Sequence, residues 1–132
     1  MKRVKTICII DDDPVFIFGA KKLIKNADFC DEILHYENAE NALEDLKYKI
    51  AKQPEKIPEV ILLDLNMPVM DGWNFMDEFI KVDCPKKITI FIVTSSIDPA
   101  DALRVKEYSE TVQDYIIKPI TKEDLLTMLK QA

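Results

Sequence analysis

Short apolar runs alternate along this chain with segments in which apolar positions recur at three- and four-residue spacing. The runs predict five strands: Thr6–Ile10, Glu32–Tyr36, Glu59–Asp64, Ile88–Thr94 and Val112–Ile117. The first, third and fourth are continuous and rich in β-branched residues, as in strands covered on both faces. Glu32–Tyr36 is short and polar, which suits an edge strand. Helix starts fall between the runs. Asp13-Pro14 and Asp98-Pro99 each offer an N-cap followed by proline at the first helical position. Asn38-Ala39 and Asp71-Gly72 open two more helices, and Thr121-x-x-Asp124 resembles a capping box ahead of Leu125, Leu126, Met128 and Leu129. Gln53–Pro58, bracketed by Pro54 and Pro58, reads as a loop. This alternation predicts an α/β fold of five β/α units. Fold frequency then favours a doubly wound parallel sheet in the order 2-1-3-4-5.

Length and composition narrow the class. At 132 residues the chain fits one domain with a real core, and 48% hydrophobic with 32% charged residues is ordinary for a globular protein. The net charge of −6 argues against nucleic acid as a partner, since phosphate neutralisation needs a basic stripe. The basic start Met1-Lys2-Arg3-Val4-Lys5 leads into an apolar stretch too short for a signal peptide, and no segment approaches a membrane span. A cytoplasmic protein with no membrane partner is expected. Cys8, Cys30 and Cys84 are odd in number, widely spaced and not in CxxC form, so they read as reduced thiols.

The chemistry gathers where the runs end. Asp11, Asp12 and Asp13 follow the first run, Asp64 ends the third, Thr94 the fourth and Lys118 follows the fifth. In an open α/β sheet, ligands collect outside the carboxyl ends of the strands, so the acids and Lys118 form a candidate cation- and phosphate-handling cluster. Two carboxylates about 4 Å apart repel by roughly 4 kcal/mol at an effective dielectric near 20. Such a cluster either raises its pKa values or recruits a cation. Oxygen donors without histidine or cysteine favour Mg²⁺, Ca²⁺ or Mn²⁺ over zinc. Asp13 reads as a helix cap, while Asp11 and Asp12 stand evenly between cation ligands and solvated neighbours. Asp64, where a buried strand surfaces into Leu65-Asn66-Met67-Pro68, suits a nucleophile forming an acyl phosphate, with Lys118 as the compensating charge.

The segments IIDDDP, LLDLNMPVMDG, IVTSS and DYIIKP, in this order and spacing, resemble the receiver domain of two-component response regulators (CheY-like), from about Val4 to Lys130. The resemblance implies a flavodoxin-like (βα)₅ fold and one receiver domain over 1–132, core about 4–130, standing alone without an output domain. It implies that Asp64 is the phosphoacceptor. Asp11 and Asp12 would hold Mg²⁺ (or Mn²⁺) together with Asp64 and the backbone carbonyl of Asn66. Lys118 would contact the phosphoryl group, Thr94 would shift toward it, and Tyr115 would be the aromatic switch. Asn66 and Ser96 would modulate dephosphorylation, and Lys118-Pro119 would carry a cis peptide bond. The phosphodonor would be a sensor histidine kinase or a histidine phosphotransfer protein, and an unidentified protein would read the switch. The chain would thus be a signalling switch with its own phosphorylation and dephosphorylation chemistry, not an enzyme turning over a free substrate.

Some positions depart from the family pattern. Thr111-Val112 stand where receivers commonly have Gly-Ala, Ile120 follows Pro119 where an aromatic is frequent, and Gly19 and Gly72 are the only glycines. Phe18 shares a face with Lys21, Lys22 and Lys25, and is read as a partly buried aromatic in preference to a phosphodonor contact. Phe75 and Phe79 are read as core, Trp73 as a cover for the site's rim, and His35 as remote from the chemistry. The alternatives are a phosphorylation-independent pseudo-receiver adaptor and a small nucleotide- or flavin-binding enzyme or phosphatase. The second lacks a glycine-rich phosphate loop, and Asn66 stands where an aspartate phosphatase would want its second acid.

Overall fold

Alternate residues of each central strand point to opposite faces, and both faces are apolar. In the computed structural model, which describes residues 3–131, the strands are β1 (Val4–Ile10), β2 (Cys30–Tyr36), β3 (Val60–Leu63), β4 (Thr89–Thr94) and β5 (Val112–Ile117). They form one parallel sheet in the order β2-β1-β3-β4-β5, the doubly wound, flavodoxin-like arrangement expected. Met1, Lys2 and Ala132, the ends of the domain expected over 1–132, lie outside the described residues.

Cys8, Ile10, Ile61, Leu63, Ile90 and Ile92 face one side of the sheet. There α2 (Ala39–Lys52) supplies Leu43 and Leu46, and α3 (Gly72–Phe79) supplies Phe75, Met76 and Phe79. Ile7, Ile9, Leu62, Phe91 and Val93 face the other, against Ile17, Ala20 and Ile24 of α1 (Pro14–Ala27) and Leu125, Met128 and Leu129 of α5 (Lys122–Gln131). Each large aliphatic side chain so buried stabilises the fold by about 1.5–3 kcal/mol before entropy is counted. The fourth helix differs. α4 (Pro99–Val105), continued by a 3₁₀ turn over Lys106–Tyr108, fully buries none of its residues.

The capping chemistry is as the sequence suggests. Asp13, Asn38, Asp71 and Asp98 each accept a bond from a backbone N–H in the first turn of the following helix. Thr121 and Asp124 exchange both bonds of a capping box. The Lys118–Pro119 peptide is cis. β1 and β2 start earlier than expected, whereas Glu59 and Asp64 flank β3 and Ile88 precedes β4. Within Gln53–Pro58, Pro54–Lys56 forms a 3₁₀ turn.

Two side chains depart from expectation. Phe18 is not partly buried; it is 71% exposed, because α1 packs through Ile17, Ala20 and Ile24 and the next position points about 100° away. Trp73 does not cover the rim of the site. It is buried, stacked on Tyr108 at 5.4 Å between ring centroids, with Arg104 over its ring at 4.8 Å. Phe75 and Phe79 are core, and His35 is exposed on the edge strand.

Candidate functional site

Strand register assembles the site. Ile10 pairs with Leu63, Leu63 with Ile92, and Thr94 with Ile117. Asp11, Asp64 and Lys118, each one step further, leave the sheet at the same edge. Backbone bonds fix these exits: Asp64 N–H donates to the Ile10 carbonyl at 2.9 Å and Lys118 N–H to the Thr94 carbonyl at 2.8 Å. β1 and β3 are neighbours from which the chain turns toward opposite faces, so the acids meet at the switch point of the sheet.

Carboxylate oxygens of Asp11, Asp12 and Asp64 lie within 4.8 Å of one another. Asp11 and Asp64 are buried, while Asp12 is exposed. Lys118 Nζ sits 2.7 Å from Asp11 Oδ2 and 3.6 Å from Asp64 Oδ2, and rests over the Phe16 ring at 4.3 Å. Asp11 Oδ1 accepts the Asp13 N–H at 2.9 Å. Asp11 Oδ2 has no well-aligned hydrogen bond; its ion pair with Lys118 is a charge contact. Burial raises the Asp11 pKa above the ordinary carboxylate value, against the opposing pull of Lys118 and of the Asp13 N–H. An all-oxygen set with one buried, poorly satisfied carboxylate oxygen fits a hard divalent cation such as Mg²⁺.

Asp13 lies apart from this set. Its side chain accepts the Val15 N–H at 2.9 Å and is spent on capping α1. Thr94 is fully buried, and its Oγ1 accepts from Asn66 Nδ2 and from Ser96 N–H, each at 3.3 Å. Asn66 N–H in turn donates to Asp64 Oδ1 at 3.3 Å. The Tyr115 hydroxyl donates to the Ser96 carbonyl at 3.0 Å. Asp11, Asp12, Asp64, Asn66, Thr94, Ser96, Tyr115 and Lys118 therefore fall in one connected region, with Tyr115 and Ser96 at its outer side.

Three contributors were not picked out as site residues. Phe16 supports Lys118, and no sequence pattern marks that role. Asp101 joins the Ser96 loop to Trp73, through contacts distant in sequence. Gly72 permits the loop after Asp64 to lie on the start of α3: a Cβ there would stand 2.4 Å from the Asp64 carbonyl oxygen and 2.8 Å from Leu65 Cα. The scarcity of glycine in this chain was the available signal for that position.

The chain is 38% identical over 94 residues to the sensor histidine kinase CheAY of Helicobacter pylori, which covers 71% of this chain and 11% of that protein. It is 32% identical over 127 residues to the nitrate/nitrite response regulator protein NarL of Escherichia coli, covering 96% of this chain and 54% of that one. The chain thus spans about half the length of one of these relatives and a small part of the other. The crystal structure of a two component response regulator from Cytophaga hutchinsonii matches with a TM-score of 0.88 at 27% identity, over 98% of this chain and 97% of that one. The profile of the response regulator receiver domain matches residues 7–130, and the chain belongs to that family.

Proposed function

We propose that this chain is a phosphoacceptor switch of a two-component or phosphorelay system, with Asp64 as the residue phosphorylated. The observation that carries the reading is the meeting of Asp11, Asp12 and Asp64 oxygens within 4.8 Å, with the Lys118 ammonium facing the two buried acids. An Asp64 carboxylate oxygen attacks the phosphorus of a phosphohistidine presented in line by a histidine kinase or histidine phosphotransfer protein. The P–N bond breaks as the P–O bond forms, and the imidazole leaves with its electron pair. Lys118 stabilises charge on the transferring oxygens, and Thr94 donates its hydroxyl hydrogen to one of them; positioning is the main contribution. Asp11, Asp12, Asp64 and the Asn66 carbonyl would hold Mg²⁺ or Mn²⁺, which supplies neutralising charge for the phosphoryl oxygens when bound. Water later attacks the phosphorus, the bond to Asp64 breaks and inorganic phosphate leaves, with Asn66 and Ser96 flanking that approach.

The switch follows from packing. Drawing Thr94 toward the phosphoryl group strains its bond from Ser96 N–H and frees room for Tyr115, whose hydroxyl is tied to the same residue. A protein partner reads the altered α4–β5–α5 surface. No described helix is long and apolar enough to cross a membrane, which suits a cytoplasmic site of action.

Incubation with acetyl phosphate and Mg²⁺, read by intact mass, tests the proposal. Wild type should gain one phosphoryl group and Asp64→Asn none. No gain on wild type, or equal gain on the variant, would sink it and leave the pseudo-receiver reading.

A further inference from the structure

We infer that Asp101 is a positioning residue for the Asp64 site, tying the loop between β4 and α4 to α3 through Ser96 and Trp73 and so restraining the Thr94 hydroxyl. The inference rests on the phosphoacceptor reading and names a control of that site.

The argument begins with what holds α4. The helix fully buries no residue; Val105, with Tyr108 in the turn that follows, packs on the core only partly buried, so apolar burial contributes less to its position than in the other helices. Its polar ties are specific. Asp101 Oδ2 accepts the Ser96 Oγ hydroxyl at 2.5 Å, and Asp101 Oδ1 accepts the Trp73 Nε1–H at 3.1 Å. Arg104, on the same helix, lies over the Trp73 ring at 4.8 Å. Trp73 itself is an anchored post, buried in α3 and stacked on Tyr108. Asp101 therefore bridges a rigid element to a loop.

The loop is the one that carries the switch. Ser96 N–H donates to Thr94 Oγ1, its Oγ accepts the Asp98 N–H at 3.3 Å, and its carbonyl accepts the Tyr115 hydroxyl. Inward movement of Thr94 must carry Ser96 with it or break the bond between them. Carrying Ser96 pulls against a charge-assisted bond to Asp101, the stronger class of hydrogen bond, whereas the Ser96–Thr94 bond is a long neutral one. The carboxylate thus sets how readily the hydroxyl reaches a phosphoryl group, without touching that group.

The test compares wild type, Asp101→Ala, Asp101→Asn and Trp73→Phe. Amide hydrogen exchange without phosphodonor reads the tether directly. Asp101→Ala should speed exchange at Ser96 by about tenfold, the factor given by loss of one modest charge-assisted bond. Amides of Phe91 and Val93 in β4, the strand that leads into this loop, should not change, which separates the tether from general loosening. Asp101→Asn, able to accept from Trp73 and donate to Ser96, should stay within about threefold of wild type. Trp73→Phe removes one anchor, keeps the ring, and should fall between them; it also serves if Asp101→Ala does not fold. Unchanged exchange at Ser96 in both Asp101→Ala and Trp73→Phe overturns the inference. Incorporation from acetyl phosphate gives the second readout: Asp101→Ala should accept phosphoryl groups about threefold to tenfold faster than wild type. Equal or slower incorporation, with wild type accepting normally, refutes the restraint. Should wild type accept none, the phosphoacceptor reading fails on its own account, and the tether still stands or falls on the exchange result.

Discussion

Replacing Lys118 by methionine removes the ammonium facing both buried acids while keeping most of the side chain's length. At an effective dielectric near 20, its separations of 2.7 Å and 3.6 Å correspond to attractions of about 6 and about 5 kcal/mol. Repulsion between carboxylates no more than 4.8 Å apart offsets at least about 3 kcal/mol of this, and desolvation of the three groups offsets much of the rest. The pair is consequently worth far less than its attractions, but breaking it leaves two buried acids without their cation. Such losses cost about 3–5 kcal/mol, a large part of the 5–15 kcal/mol typical of a whole domain. Urea unfolding followed by circular dichroism should show a deficit of about 3 kcal/mol for Lys118→Met in EDTA at neutral pH. Excess Mg²⁺ should narrow the gap, because a cation bound to the folded state alone stabilises it by mass action and binds the unneutralised acids more tightly. Adding Asp11→Asn should recover part of the loss. A deficit below about 1 kcal/mol in EDTA, or the same deficit with and without Mg²⁺, would refute the view that Lys118 and a metal neutralise one shared charge cluster.

Other consequences are open to the same measurements. Gly72→Ala should cost about 1–3 kcal/mol, since its Cβ meets backbone atoms of Asp64 and Leu65 that cannot rotate away, and should slow phosphorylation; unaltered unfolding would refute the close approach. Asp11 has a raised pKa, so the folded protein holds its proton more tightly than the unfolded chain does. Its contribution is most favourable below the ordinary carboxylate value and declines as pH rises through the folded value, so metal-free Asp11→Asn should gain on wild type from about pH 4 upward. A flat or reversed difference across a pH series of urea melts would contradict that burial effect. Asp13→Ala should cost about 1 kcal/mol through the lost cap of α1 and leave Mg²⁺ affinity, read by calorimetry, unchanged.

What the sequence made legible follows the range of the interactions involved. Strand identity rests on local composition, and helix starts rest on caps within a few residues, so both were readable. With β1 and β3 as neighbours, the meeting of Asp11 and Asp64 follows from their places at the strand ends. The functions of three consecutive aspartates required more. As letters they are identical, yet Asp11 is buried against Lys118, Asp12 is exposed beside it, and Asp13 turns back to its own helix. The cap on Asp13 was predictable because proline follows it; the burial of Asp11 depends on a lysine 107 positions away that only the completed sheet brings close.

Trp73 and Phe18 mark the other boundary. A tryptophan early in a helix after the site suggested a rim, but stacking on Tyr108 and the bond to Asp101 draw it between α3 and α4. Phe18 has the apolarity of a core residue in a helix whose buried stripe is already complete with Ile17, Ala20 and Ile24. In both cases composition was a poor guide because the deciding partner lies on another element or is absent. α4 combines the two situations. With no fully buried stripe and only Val105 packed on the core, its place leans on Asp101 and Arg104 acting on a residue 28 and 31 positions earlier. A helix held by a few polar contacts can be released by a few, whereas one held by a buried stripe cannot. That difference makes α4 the element best suited to respond in the proposed switch, in which the Thr94 loop would move.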